Sequence, residues 1–224
     1  MHNYKRRGEY FVTYTIENYK QFLYAVIEMI EKEKDYLSEL DRKLGDGDHG
    51  VTMSIGWQAV KEKLDNELQN ERDGGEISKV VAKTFLNAVG SSVGPLYATG
   101  FLRGSKVLKG KTEFNHSELL DFWIAFGDGI KERGQAEVGD KTMIDTIQPF
   151  IQSLREKRED QSFSEIFDQA LVSAENGMLS TKEMISKKGR SSRLGERSKG
   201  FLDPGATSIY FILECFQKSL FSVT

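Results

Sequence analysis

Apolar residues recur through almost the whole chain at steps of three, four and seven, and only three prolines, Pro95, Pro149 and Pro204, interrupt the backbone. Such spacing lines apolar side chains along one face of a 3.6-residue turn, so each stretch predicts an amphipathic helix. The first runs from about Ile16 to Leu40 and carries Leu23, Val26, Ile27, Ile30 and Leu37, with Leu44 continuing the stripe. Met53, Trp57, Val60 and Leu64 make a second stripe, and Ile77, Val80, Val81, Phe85 and Ala88 a third. A Gly/Ala-rich segment after Pro95 predicts a fourth helix. Asn115 and Glu118, at the spacing of a capping box, precede Leu119, Phe122, Trp123, Phe126 and Ile130. Met143, Ile147, Ile151 and Leu154 form another stripe, and Ser162 with Glu165 opens one holding Ile166, Phe167, Ala170, Leu171 and Ala174. Asp203 and Pro204 read as an N-cap and first helical residue before Ile209, Leu213, Phe216 and Leu220. Periodicity thus predicts about eight helices, and no segment alternates with period two for long enough to predict a sheet.

At 224 residues the chain suits one compact domain. A domain of this size buries roughly 70% of its unfolded surface, so it needs neither a disulfide nor a metal merely to fold. The single cysteine, Cys215, excludes an internal disulfide framework and a cysteine-cluster metal site, and it fits a reducing, cytoplasmic location. A net charge of -3 and a pI near 5.8 argue against a general nucleic-acid binder, whose phosphate affinity requires a basic face. No apolar run approaches the roughly 18 residues of a membrane span. The basic start at Lys5, Arg6 and Arg7 leads into the polar-interrupted stretch from Tyr10 to Ile16, which is no secretory leader.

The chemistry concentrates where the periodicity stops. Asp41-Arg42-Lys43-Leu44-Gly45-Asp46-Gly47-Asp48-His49-Gly50 packs three carboxylates and three glycines into ten positions. The glycines let the backbone turn sharply enough for Asp46 and Asp48 to point the same way, and Asp41 at the end of the preceding helix reaches the same space. Convergent carboxylates repel one another unless a cation sits between them, and hard oxygen ligands select Mg²⁺ or Ca²⁺ over zinc. One Mg²⁺ typically takes only one or two carboxylates, so three suggest more than one ion sharing ligands with a substrate phosphate.

Simpler motif readings fail. Gly45, Gly47 and Gly50 satisfy G-x-G-x-x-G, but helix and not strand precedes them, and two aspartates would repel a pyrophosphate lying on the loop. Counted from Asp46, an EF-hand would need an acidic or amide residue where Gly50 stands and a glutamate in place of Trp57. Gly110-Lys111-Thr112 lacks the upstream glycine of a P-loop, since position 105 is Ser105. Three other segments suit a phosphate-bearing ligand: Gly90-Ser91-Ser92-Val93-Gly94-Pro95 before a helix, Gly139-Asp140-Lys141-Thr142-Met143 at another helix opening, and the arginine-rich Lys188 to Arg197. Taken alone, the first reads equally as a capped loop, the second as simple capping, and the third more simply as a solvated surface loop.

Taken in order, Leu40-Asp41, Gly45 to Gly50, Gly94-Pro95-Leu96-Tyr97, Gly139 to Met143, Gly189-Arg190, Leu194-Gly195-Glu196-Arg197-Ser198 and Leu202-Asp203-Pro204-Gly205-Ala206 resemble the nucleotide-binding L subunit of dihydroxyacetone kinase. The resemblance implies an all-α fold, an eight-helix antiparallel barrel in a single domain over residues 15–224, with residues 1–14 an extension or tail. It implies that ADP or ATP is held at one end through two Mg²⁺ bound by Asp41, Asp46 and Asp48. His49, Gly50, Val51, Thr52, Ser91, Ser92, Gly134, Met143, Arg190, Asp203, Pro204 and Gly205 match nucleotide-contacting positions. Arg190 is the catalytic candidate, stabilising charge on the transferred phosphoryl group.

The family holds its ketose through a histidine on a separate domain, and this chain has only His2, His49 and His116. The resemblance therefore implies half an enzyme. A K-type partner would carry dihydroxyacetone, and in phosphoenolpyruvate-dependent systems a phosphohistidine protein of the phosphotransferase system would recharge bound ADP in place. A homodimer or hetero-oligomer is expected, with no nucleic acid or membrane partner. Two alternatives remain at this level: the donor half of a kinase for another short ketose or a fatty acid, or a non-enzymatic nucleotide-dependent module that contacts a regulator.

Overall fold

A computed structural model describes residues 13–156 and 161–221. Eight α-helices form the body: α1 Ile16–Leu44, α2 His49–Asn66, α3 Gly74–Ala88, α4 Val93–Val107, α5 His116–Gly134, α6 Ile144–Arg155, α7 Phe163–Ser180 and α8 Pro204–Phe221. Each packs against its successor in the chain, and α8 returns to pack on α1, which closes the ring into an antiparallel barrel. No helix among the described residues is long and apolar enough to cross a membrane.

Local sequence explains the ends of these helices. Asn115 accepts from the Glu118 backbone N–H while the Glu118 carboxylate accepts from the Asn115 N–H, and Ser162 and Glu165 form the same reciprocal pair. A third box, Thr15 with Asn18, starts α1. That helix continues to Leu44, beyond the expected end near Leu40, because Arg42 and Lys43 suit the negative end of the helix dipole and the Gly45 N–H still reaches the Asp41 carbonyl. Pro95 falls in the first turn of α4, where its missing N–H breaks no helical bond.

Two short strands, β1 Tyr14–Thr15 and β2 Glu113–Phe114, pair antiparallel at the end of the barrel where α1 begins. Tyr14, placed in the tail by sequence, instead belongs to the folded body. Only 3% of it is exposed, and its ring lies 6.4 Å from Phe114 and 5.6 Å from Phe216. Periodicity missed the pair because two residues per strand are too few to alternate. Of the rest of the expected tail, Thr13 is exposed and residues 1–12 lie outside the described residues.

Aromatic side chains fill the barrel. Trp123 on α5 meets Phe22 of α1, Phe150 of α6 and Phe216 of α8 edge to face, at centroid distances of 6.1, 6.1 and 5.1 Å. One buried ring thus ties four helices together. Trp123→Ala is expected to lower the unfolding free energy by about 3–5 kcal/mol in urea titrations. A loss below about 1 kcal/mol, the range of changes at uncritical positions, would contradict this account of the core.

Candidate functional site

Antiparallel alternation brings the four odd-to-even connections to one end: α1–α2, α3–α4, α5–α6 and α7–α8. Together they surround a cavity of about 510 Å³, to which every one of them contributes residues. Leu96, Ile130, Ala136 and Ile144 provide apolar wall, while Asp41, Asp46, Asp48, Ser91, Ser92 and Arg190 provide polar groups. This volume falls in the range of about 300–1,000 Å³ usual for small-molecule sites.

The acidic loop is built by the helices that flank it. Asp41 stands in the last turn of α1, and its Oδ2 accepts hydrogen bonds from the backbone N–H of Asp48, at 2.9 Å, and of His49, at 3.2 Å. The carboxylate therefore meets the positive end of the α2 dipole. Gly47 turns the loop with φ +78, a conformation that side chains disfavour. Gly50 lets α2 cross α1 closely, since a Cβ there would lie 1.9 Å from the Lys34 carbonyl oxygen.

Ligand oxygens of Asp41, Asp46 and Asp48 all lie within 4.8 Å of one another. Burial, with the Asp41 charge adding to it, raises the Asp48 carboxyl above its ordinary value. The Arg190 guanidinium pairs with Asp46 and lies 3.3 Å from Asp48. Three hard, clustered carboxylate oxygens at the rim of the cavity fit a magnesium-type cation.

Most residues singled out from sequence meet here. His49, Thr52, Ser91, Ser92, Gly134, Met143, Arg190, Asp203, Pro204 and Gly205 line the cavity with the three aspartates. Two do not. Gly50 is buried against α1, where its demand is steric, and Val51 projects outward with 48% of its surface exposed. Lys141 and Thr142 line the cavity although sequence reading took no site residue from that turn except Met143. Their signal was the charged residue inside a glycine-opened turn, which does not show that the charge is buried. The Ser91 Oγ is buried with no hydrogen-bond partner among the described residues, an acceptor and donor left over for a ligand.

His49 and Asp203 carry large, opposite shifts. His49 is buried with Nε2 2.9 Å from the Ser208 Oγ, and burial, opposed by the Asp41 charge, lowers it from 6.5 to about 4. Asp203 caps α8 by accepting from the Ala206 N–H at 2.8 Å. Burial raises Asp203 from 3.8 to about 7, with that N–H and Lys141 opposing and the Asp145 and Asp41 charges reinforcing.

The signs follow by linkage. As pH falls from 6.5 toward 4, the unfolded chain protonates a histidine that the folded chain keeps neutral, and stability is lost. Asp203 works the other way: the folded chain takes up its proton near pH 7 and the unfolded chain only near 3.8, so stability is gained across that window. Asp203→Asn removes the gain. In urea titrations with EDTA and no nucleotide, the mutant is expected to fall progressively behind the parent as pH drops from 7 to 4. A parent–mutant difference independent of pH would contradict the proton-binding Asp203.

Comparison with known proteins agrees with this geometry. The DAK2 domain matches residues 43–218. The PEP-dependent dihydroxyacetone kinase 2, ADP-binding subunit DhaL, of Listeria innocua is 38% identical over 192 residues, covering 86% of this chain and 89% of that protein. The PTS-dependent dihydroxyacetone kinase, ADP-binding subunit DhaL, of Lactococcus lactis is 38% identical over 200 residues, covering 89% of this chain and 95% of that protein. A solved dihydroxyacetone kinase from C. freundii, in complex with AMP-PNP and Mg2+, shares the fold with a TM-score of 0.69 at 20% identity. That alignment covers 98% of this chain and 37% of the larger kinase, so the chain spans about a third of that protein's length. By the domain it carries and by its likeness to these subunits along nearly their full length, the chain belongs to the DAK2 domain family, as an L-type subunit of a dihydroxyacetone kinase.

Proposed function

We propose that this chain is the donor half of a phosphoenolpyruvate-dependent dihydroxyacetone kinase, holding ADP or ATP with two Mg²⁺ in the barrel mouth. The observation that carries the reading is the convergence of Asp41, Asp46 and Asp48 beside Arg190 at the mouth of one cavity. An acidic loop faces a polyphosphate only through cations, and three carboxylates exceed what one Mg²⁺ usually takes. The names of the relatives, ADP-binding subunits of PEP- and PTS-dependent kinases, support the choice of nucleotide and of recharging system.

Asp41, Asp46 and Asp48 would hold the ions, which when bound neutralise phosphate charge. The chain's own groups do the rest. Asp41 is held in place by the two N–H groups that it accepts. Ser91 and the opening turn of α4 offer a hydroxyl and backbone donors to phosphate oxygens, and Leu96, Ile130 and Met143 offer apolar surface to the base. Thr52 stands beside the acidic loop, and Gly134, Pro204 and Gly205 keep the walls of the mouth free of bulky side chains. Arg190, 56% exposed in its side chain and paired with Asp46 at the rim, would exchange that partner for the phosphoryl group as it leaves the donor.

No described histidine is placed to hold a ketose. His49 is tied to Ser208 inside the barrel, and His116 stacks on Phe163 at a centroid distance of 4.3 Å at the opposite end. The acceptor therefore arrives on a K-type subunit that docks at the mouth. A phosphohistidine protein then recharges ADP where it lies, in the cytoplasm, without release of the nucleotide.

Reconstitution with a K-type partner, dihydroxyacetone and ATP or the recharging system tests the assignment. Arg190→Ala is expected to load nucleotide within a few-fold of the parent and to lose on the order of 10³-fold or more in turnover. The chain without a partner is expected to form no product. A fully active mutant would remove Arg190 from the mechanism, and product from the isolated chain would overturn the half-enzyme reading.

A further inference from the structure

Lys141 is the least expected residue in the cavity wall. It is 1% exposed and sits at φ +61, a left-handed conformation seldom adopted outside glycine, asparagine and aspartate. Its Nζ donates to the carbonyl oxygens of Ser198 at 2.5 Å, Phe201 at 2.7 Å and Met184 at 3.3 Å. An ammonium group has three donors, and here all are used on backbone acceptors.

Those acceptors bracket one segment. Met184 precedes it, Ser198 and Phe201 follow it, and Arg190 lies between, at the start of the 3-10 helix Arg190–Ser198. None of residues 187–197 is fully buried; Leu194 is half-buried and the 3-10 helix touches α1, but no core side chain fixes the segment. The two ends are joined instead at a polar junction, where the Ser186 N–H donates to the Ser198 Oγ at 2.9 Å and that hydroxyl donates to the Gly195 carbonyl at 2.7 Å. Lys141 sits against this junction. Its own turn is held from below by the buried Asp145, whose carboxylate accepts from the N–H groups of Gly139 at 2.6 Å and Thr142 at 2.7 Å. The neighbouring Lys187 N–H also reaches the Asp140 carbonyl at 3.1 Å.

We propose that Lys141 is a positioning residue that anchors the segment carrying Arg190 over the acidic loop, so that the guanidinium is in place when phosphoryl charge develops. The anchor rests on the donor-site reading above for its consequence in turnover, and on the hydrogen bonds alone for its effect on the segment. A charge-assisted hydrogen bond is stronger than a neutral one, and loss of this ammonium leaves three carbonyls without their donor. Burial lowers the Lys141 ammonium from its ordinary value, and the Asp203 and Glu183 charges oppose that shift.

The test is Lys141→Met in the full chain, alone and combined with Arg190→Ala. Hydrogen exchange of residues 187–197 is expected to quicken by at least ~10-fold, as local opening replaces an anchored segment. With a K-type partner, kcat is expected to fall on the order of 100-fold, the cost of displacing a reacting-site group by about 1 Å. Nucleotide Kd should stay within about threefold, because the anchor acts on the transition state through Arg190. In the Arg190→Ala background, Lys141→Met should cost nothing further in kcat. Parental exchange rates, or additive losses in the double mutant, would overturn the proposal. Should Arg190→Ala itself be fully active, the catalytic reading of Arg190 fails, and the exchange measurement alone decides the anchor. If Lys141→Met does not fold, Ser198→Ala cuts the same junction from the other side. It is expected to show the same loss of kcat with Kd retained, and parental exchange and turnover in that variant would overturn the anchor.

Discussion

Three carboxylates held within 4.8 Å of one another are the constraint on which the rest of the structure turns. Like charges so close repel by an amount that only opposing charge or aligned dipoles offset. The fold supplies both. Asp41 points into the first backbone N–H groups of α2, and Arg190 crosses the mouth to Asp46 and Asp48. The first contact spans only seven or eight positions, but Arg190 and Asp46 lie 144 positions apart. The closed ring of helices brings them together. Packing α8 against α1 returns the end of the chain to its beginning, and alternation places the four odd-to-even connections on one face.

Much of this was legible in the sequence, for a physical reason. Helices announce themselves through 3.6-residue periodicity and through caps, so the boxes at Asn115 and Ser162 could be located from residue types alone. The Thr15 box could not, because asparagine at its third position is not the usual partner. The end of α1 was set four residues short because Asp41-Arg42-Lys43 carries no apolar signal, whereas the backbone ladder needs none. Ring closure itself has no periodic signature; resemblance supplied it.

At the cavity, residue types with their own chemistry are legible in sequence, and contacts made to distant backbone are not. The aspartates, the serines and Arg190 are read from side chains. At Gly50 the structure adds a packing requirement that sequence did not show, visible only once the Lys34 carbonyl is placed beside it. Lys141 looked like an ordinary capped turn, because its three acceptors are carbonyls of residues 43 to 60 positions away. The opposite shifts of His49 and Asp203 are likewise properties of burial, not of residue type.

The central claim, that the acidic loop binds nucleotide through magnesium, is tested most directly by calorimetric titration of ADP into the parent chain and into Asp46→Ala, each with Mg²⁺ and with EDTA. The account predicts tight binding by the parent that collapses in EDTA. It predicts at least ~10-fold weaker binding by the mutant in Mg²⁺, as loss of one ligand or outer partner at a metal site typically causes. Equal ADP affinity in all four titrations would contradict it.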